Sequence, residues 1–144
     1  MLSRLRDVFA SLSAHQVKYL VIGGTAAVLH GVPRATFDLD ILIEATPENG
    51  SHLLTALREA GFGTASLLDV DELLRHEITI FRDLYRIDVQ TSTPGLEFTD
   101  AWSRRLEMTF GGVPFWVASK NDLIASKRAA GRSIDIEDVR ILEG

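Results

Sequence analysis

The chain has 144 residues, a formal net charge of −5 and no cysteine, and 46% of its residues are apolar. This composition is typical of a globular protein, and we expect a single domain over residues 1–144. The lack of cysteine excludes thiol catalysis, cysteine-ligated zinc and disulfide scaffolds, and the acidic balance argues against broad attraction to nucleic acid.

The first elements predicted are a helix, a strand and a second helix. Residues 18–22 predict a short buried strand that ends at Gly23-Gly24, and residues 25–30 predict one or two helical turns before Gly31 and Pro33. The first helix is amphipathic, because apolar residues recur every three to four positions, at Leu2, Leu5, Val8, Phe9 and Leu12.

The longest apolar run spans Tyr19 to Leu29 and is interrupted by two glycines and a threonine. It is far shorter than the roughly 20 residues that a membrane-spanning helix needs. The segment before it carries Asp7 and has no small-residue cleavage site, which argues against a signal peptide. We therefore expect a cytoplasmic protein with no membrane partner.

The remainder of the chain predicts further strands and helices. Thr46-Pro47-Glu48 is a helix-start pattern, and that helix ends at Gly61. Four leucines in residues 62–75 suggest a further helix, whose ends are left open: Leu67, Leu68, Leu73 and Leu74. A single strand is predicted at 39–43, and strand pairs at 78–81 with 86–90 and at 106–110 with 113–117. Helices are predicted at 119–130 and 135–142. This order predicts an α/β (α+β) fold in which helices flank a mixed sheet.

Asp38 and Asp40 form the most informative pattern. Side chains alternate along a strand, so both carboxylates leave one face, about 7 Å apart. Asp88, between Ile87 and Val89, is flanked by apolar residues in the same way. If the two strands are neighbours, three carboxylates converge, and such hard oxygen donors suit Mg²⁺ or Mn²⁺ better than Zn²⁺.

A second pattern is the glycine turn Gly23-Gly24-Thr25, which joins a strand to a helix start. Glycines allow a phosphate to approach the backbone, and the threonine adds a hydroxyl donor. Arg34 and Thr36 lie between this turn and the acids, where they can face a triphosphate or an acceptor.

Structural interpretations of the same residues stay open. A D-x-D pattern is common, Asp88 can pair with Arg86 or Arg34, and a double glycine is often only a tight turn. Lys127 either reaches a nucleotide or lies on a solvated helix face beside other cations.

Taken together, Gly23-Gly24-Thr25, Arg34, Thr36, Asp38-Leu39-Asp40 and Asp88 resemble the nucleotidyltransferase fold of the DNA polymerase beta superfamily. The spacing between turn and acids, and the C-terminal segment around Lys127, most resemble AbiE-type toxin nucleotidyltransferases of type IV toxin–antitoxin systems and related bacterial proteins.

The resemblance implies an enzyme that transfers an NMP group, with AMP expected, from an NTP to a hydroxyl of RNA or protein. It implies that Asp38, Asp40 and Asp88 bind two Mg²⁺ ions, with Mn²⁺ as a substitute. It also implies that Gly23, Gly24 and Thr25 cradle the phosphates. A cognate antitoxin or a second copy of the chain is the expected partner.

Two alternatives belong to other classes of function. The first is a catalytically inactive nucleotidyltransferase-fold module that acts through a protein partner. The second is an RNA-binding protein whose affinity would depend steeply on salt. Its basic residues would be Arg104, Arg105, Lys120, Lys127, Arg128 and Arg132.

Overall fold

A computed structural model describes residues 2–36 and 38–144, and the side chains from Arg4 onward. Over these residues the chain forms seven α-helices, one 3₁₀ turn and a six-stranded mixed sheet, which confirms the predicted α/β class. The side chain of Leu2, predicted on the apolar face of the first helix, lies outside the described residues.

The elements follow the predicted order, with a short helix inside the 62–75 segment and one helix that was not predicted. The helices are α1 (Leu2–Ala14), α2 (Gly23–Leu29), α3 (Pro47–Glu59), α4 (Val70–Arg75), α5 (Phe98–Ser103), α6 (Lys120–Ala130) and α7 (Ser133–Glu143). The strands are β1 (Tyr19–Ile22), β2 (Leu39–Ile43), β3 (Ile78–Phe81), β4 (Ile87–Gln90), β5 (Leu106–Phe110) and β6 (Val113–Val117).

The short helices α4 and α5 are each started by an acidic side chain. The Asp69 side chain accepts a hydrogen bond from the backbone N–H of Glu72, and the Glu72 side chain accepts one from the backbone N–H of Asp69. These two reciprocal bonds form a capping box. Glu97 accepts from the N–H groups of Thr99 and Asp100 at the start of α5. α4 lies in the 62–75 segment, where the leucine pattern suggested a helix without fixing its ends. α5 was not predicted, because a helix of six residues carries too little periodicity to be recognised in a sequence.

The sheet has the strand order β3-β4-β2-β1-β6-β5. β3 with β4 and β5 with β6 pair antiparallel, as their predicted hairpins require, and β1 pairs antiparallel with β2. β2 and β4 are parallel neighbours. The adjacency on which convergence of the three acids depends is therefore present.

One face of the sheet carries the main core. Val21, Ile41 and Val89 from three adjacent strands pack there against α1 and α3. Phe9 of α1 is fully buried, and its ring stacks on Phe115 with 4.4 Å between ring centroids. The opposite face has a smaller cluster around Leu20, Leu42 and α5, and Asp40 and Asp88 belong to this second face by strand alternation.

None of the helices over residues 2–36 and 38–144 is long and apolar enough to cross a membrane.

The stacked position of Phe9 generates a stability prediction. Phe9→Ala removes a fully buried ring and leaves a cavity, so the free energy of unfolding should fall by about 3–5 kcal/mol. Urea unfolding followed by circular dichroism measures this change. Leu67→Ala is the control, because that side chain is 81% exposed and its loss should change stability by less than about 0.5 kcal/mol. Equal effects of the two substitutions would contradict this placement of the core.

Candidate active site

Asp40 and Asp88 lie directly opposite each other on the parallel strands β2 and β4. Both side chains leave the same face of the sheet, and Asp88 is 8% exposed. Asp38 precedes β2, and its charge acts on Asp40. The three predicted acids therefore come together at one end of the sheet.

The environment of Asp40 strongly disfavours its charged form. Burial is the largest cause, followed by the charge of Asp88, a hydrogen bond shared with Asp88 and the charge of Asp38, and together they raise the pKa of Asp40 to about 7. A hydrogen bond from the backbone N–H of Gly24 opposes this rise. Such a cluster of carboxylates gains stability from a proton or a bound cation.

Arg86 is the cation that the chain itself supplies to these acids. Its Nε donates to Asp88 Oδ1 at 2.7 Å and its Nη2 donates to Asp88 Oδ2 at 3.0 Å. The same Nε lies 3.7 Å from Asp38 Oδ2. The pairing of Asp88 with Arg86 that the sequence left open is therefore present, and it coexists with the convergence of the acids.

The two glycines make room for the acids. Gly23 has a φ of +66°, a left-handed conformation that side chains disfavour, and a methyl group there would overlap the carboxylate of Asp40. A methyl group at Gly24 would lie 3.2 Å from Thr36 Oγ1. The turn therefore holds Asp40 on one side and the 34–36 loop on the other. Because the helix begins at Gly23, both glycines belong to its first turn, two residues earlier than predicted.

Thr25 is fully buried and acts within this arrangement. Its hydroxyl donates to the backbone carbonyl of Asp38 at 2.7 Å. That bond joins α2 to the residue before β2, so Thr25 holds the first acid in place and its hydroxyl is already occupied. Thr36 Oγ1 lies 3.5 Å from the same carbonyl.

Arg34 and Lys127, both predicted to contact nucleotide, meet at an acidic residue that the sequence analysis did not assign. Asp138 of α7 is fully buried and receives a bidentate ion pair from Arg34 and a 2.8 Å ion pair from Lys127 Nζ. Asp135 lies 3.5 Å from Lys127 Nζ and is also paired with Arg132. Two aspartates three residues apart on an amphipathic helix are the only signal for this network in the sequence, and such spacing is common on solvated helices.

This network, hereafter the α7 ion network (Arg34, Lys127, Arg132, Asp135 and Asp138), borders the acids. Arg34 Nη2 would lie 3.6 Å from a methyl group at Gly24. The pKa of Arg132 is raised, chiefly by its hydrogen bond to Asp135, and the charge of Asp40 adds to the rise. Three cations and two carboxylates leave a net positive wall beside the glycine turn.

The donor set matches a hard divalent cation in its chemistry, because it consists of carboxylates with no sulfur or imidazole. Within the described residues no group of three or more His, Asp or Glu side chains is arranged to hold a metal ion. In this conformation Arg86 engages Asp88. A cation bound by all three acids therefore requires Arg86 to release that carboxylate.

The competition between Arg86 and a cation can be measured. Arg86→Gln removes the positive charge beside the acids, so Mn²⁺ affinity should rise about fivefold to tenfold, as about 1 kcal/mol of repulsion is lost. Electron paramagnetic resonance of free Mn²⁺ reports the binding. Arg82→Gln, on the exposed loop before Arg86, is the charge-matched control and should change nothing. Weaker Mn²⁺ binding in Arg86→Gln, or none in any variant, would contradict a cation site at these acids.

The α7 ion network predicts how stability depends on pH. Burial by itself raises the pKa of Asp138, but the hydrogen bonds and charges of Arg34 and Lys127 outweigh it and hold that pKa below its usual range. The resulting stabilisation is complete above the unfolded-state pKa of about 3.9 and is lost as the pH falls through the lower folded-state pKa.

Asp138→Asn leaves two cations without their shared carboxylate, so the free energy of unfolding at neutral pH should fall by about 3 kcal/mol or more. The variant should also lose less stability than wild type between about pH 4 and about pH 2. Urea unfolding over a pH series measures both effects. Glu137→Gln alters an exposed carboxylate on the same helix and serves as control. Identical acid sensitivity in wild type and Asp138→Asn would refute the contribution of this carboxylate.

Comparison with known families agrees with this geometry. The model of a family described as nucleotidyltransferase of unknown function (DUF6036) matches residues 2–142. No curated protein is significantly similar to the chain. The matched range contains the glycine turn, the three acids and the α7 ion network. The chain belongs to this family of nucleotidyltransferases.

Proposed function

We propose that the chain transfers a nucleoside monophosphate, AMP being the expected one, from an NTP to a hydroxyl group of RNA or protein. The observation that carries this proposal is the placement of Asp40 opposite Asp88 and against the glycine turn. Family membership supports a nucleotidyl transfer in general. Because the substrate is an NTP, we place the reaction in the cytoplasm.

In this reaction the acceptor oxygen forms a bond to the α-phosphorus, and the bond from that phosphorus to the β-bridging oxygen breaks. The acceptor hydroxyl loses its proton, and pyrophosphate leaves. Asp88 is our choice for the group that draws this proton away, because it lies on a rigid strand beside Asp40.

Asp38, Asp40 and Asp88 are the residues that would hold two Mg²⁺ ions, or Mn²⁺ in their place. Bound there, the cations would neutralise phosphate charge and lower the pKa of the acceptor hydroxyl. The raised pKa of Asp40 supports this assignment, since burial first and then the neighbouring carboxylates Asp88 and Asp38 disfavour a charge that a bound cation would neutralise. Arg86 would hold Asp88 and Asp38 in place until the cations bind.

The phosphates would lie along the positive wall beside the glycine turn. Arg34 and Arg132 retain exposed surface, with 29% and 72% of their side chains accessible, and are the cations best placed to meet them. Lys127 is 6% exposed and paired to two aspartates, so we assign it a positioning role toward Arg34. Gly23 and Gly24 would border the phosphates, whereas Thr25 would hold Asp38.

The closer resemblance to AbiE-type toxins supports a role in a toxin–antitoxin pair, with a cognate antitoxin or a second copy of the chain as partner. One observation favours the alternative of an inactive binding module. The bidentate pair between Arg86 and Asp88 already neutralises one of the three acids. Release of pyrophosphate by the purified protein decides between these two functions.

The test of the proposed activity uses Asp40→Asn, which keeps the size of the side chain and its bond to the Gly24 N–H. Pyrophosphate release, and transfer of label from each of the four α-³²P NTPs to total RNA or protein, should fall about a hundredfold or more. The melting temperature should not fall, because the substitution removes a buried charge from a crowded group.

Asp71→Asn is the matched control, since Asp71 is exposed in the first turn of α4, away from the three acids. It should leave transfer unchanged. Transfer that persists in Asp40→Asn would remove Asp40 from the mechanism. Wild-type protein that releases no pyrophosphate with any NTP, in Mg²⁺ or Mn²⁺, would favour the binding module.

A further inference from the structure

The two outer strands of the sheet differ in how they are protected. Over the described residues, β3 and β5 are the strands that have a neighbour on one side only. β5 carries the exposed Glu107 at its second position, and a charge of this kind discourages an edge strand from pairing with another chain. β3 has the sequence Ile-Thr-Ile-Phe, with no charge, proline or glycine. The β3 edge therefore lacks the usual protection.

The outer side of β3 presents backbone hydrogen-bonding groups. The N–H of Thr91 donates to the Glu77 carbonyl at 2.9 Å, in register with the antiparallel pairing of β3 and β4. Alternate residues of an antiparallel strand bond to the same neighbour, so Thr79 faces β4 in the same way as Glu77. Ile78 and Ile80 therefore direct their N–H and C=O groups outward. Two donors and two acceptors at this spacing match the backbone of a further strand.

Exposed apolar side chains concentrate around this edge. Four of the eight large apolar side chains that are exposed among the described residues lie on β3 or on the 63–67 and 82–86 segments: Leu67, Ile78, Ile80 and Leu84. The N–H of Thr64 donates to Asp83 Oδ2 at 2.9 Å, which holds these two segments together at one end of β3. Exposed apolar groups gathered at one place mark an interaction surface.

The sequence of β3 is complementary to itself. In an antiparallel pair of β3 strands with a two-fold axis at Thr79, Ile78 of each copy lies opposite Ile80 of the other. These are the residues whose backbone groups point outward, so four hydrogen bonds form across the axis. Directly paired side chains share a face, so two isoleucine pairs also form. A shift of the register by two residues in either direction leaves only one isoleucine pair.

Thr79 itself gains a partner in this arrangement. Its hydroxyl oxygen is buried and has no hydrogen-bond partner among the described residues. Such a hydroxyl costs free energy. On the two-fold axis the Thr79 side chains of the two copies are direct neighbours, and rotation about χ1 allows one hydroxyl to donate to the other. Only a second copy of the chain places the same side chain at this position.

We propose that two copies of the chain pair through their β3 strands, antiparallel, with the two-fold axis at Thr79. Such an axis is perpendicular to the sheet, so the two six-stranded sheets become one and the acids of both copies lie on the same face. The two β4 strands, which carry Asp88, would be three strand spacings or about 14 Å apart. The inference deepens the proposed partnership with a second copy and rests on that part of the proposed function alone.

Sedimentation equilibrium measures this association. Wild-type protein at about 100 µM should sediment as a dimer, as expected for a small interface of low micromolar affinity. Ile78→Lys places a charged group opposite Ile80 at both symmetric pairs. A loss of about tenfold at each pair should raise the dissociation constant about a hundredfold.

Leu106→Lys is the matched control, because it makes the same substitution at the first position of the other edge strand. The two side chains are similarly exposed, 50% for Ile78 and 40% for Leu106. Leu106→Lys should dimerise as wild type does. Circular dichroism checks that both variants remain folded.

A single cysteine tests the register. The chain has no cysteine of its own, so Thr79→Cys adds one thiol, which meets its counterpart at the two-fold axis. The Cα atoms of such a pair are about 4.5 Å apart, within the range that a disulfide spans. Mild oxidation should convert most of this variant to a covalent dimer on a non-reducing gel. Leu106→Cys, on the other edge, should stay largely uncrosslinked.

The outcomes separate this inference from the proposed reaction. A monomeric wild type, undiminished dimerisation of Ile78→Lys, or no preferential crosslinking of Thr79→Cys would each refute the β3 interface. A monomer would leave the edge to a strand of another protein. A dimer that releases no pyrophosphate would uphold the interface while the reaction fails, and a monomer that transfers label would do the reverse.

Discussion

The contact between the Asp40 carboxylate and the Gly23-Gly24 turn is the constraint on which the rest of the site depends. Ile22 pairs with Asp40 across β1 and β2, so the residue after Ile22 necessarily meets the side chain of Asp40. Only a residue without a side chain fits there, and Gly23 also adopts the required positive φ. On its other side β2 pairs with β4, and that register sets Asp40 opposite Asp88, where burial and like charge make a cation or proton favourable.

The α7 ion network connects the C-terminal helices to that turn. Burying the charges of Lys127, Asp135 and Asp138 carries a large desolvation cost, which the ion pairs of the network offset without a clear gain over apolar packing. We therefore expect the network to fix the positions of its side chains more than to raise the free energy of unfolding. It keeps Arg34 beside Gly24 and leaves one uncompensated positive charge next to the acids. In the proposed reaction, this asymmetry separates the carboxylate side, where cations would bind, from the cationic side, where phosphates would lie.

The two faces of the sheet have different roles: one carries the main core, and the other carries the acids of the candidate active site. Alternation along β2 and β4 sends Ile41 and Val89 into the main core, while Asp40 and Asp88 leave the opposite face. Substitutions at the acids therefore leave the larger core untouched. A cavity of about 360 Å³, lined in part by Tyr85, lies on the core face, since Leu39 and Leu5 belong both to the core and to the cavity wall.

The α/β class and the strand hairpins were predictable, because period-two alternation is a local pattern. The convergence of Asp38, Asp40 and Asp88 was predicted only on the condition that β2 and β4 are neighbours, and the parallel pairing of these distant strands decided it. Local patterns also identified the glycine turn, but not the hydrogen bond that the Thr25 hydroxyl donates to the Asp38 carbonyl, because that bond joins α2 to a residue 13 positions later. The partners of Arg34 and Lys127 lie 104 and 11 residues away at Asp138, and no periodicity connects a loop arginine to a helix so distant in the chain. Long-range ion pairs and cavities exist only after the chain has folded, because they depend on the packing of separate elements in three dimensions.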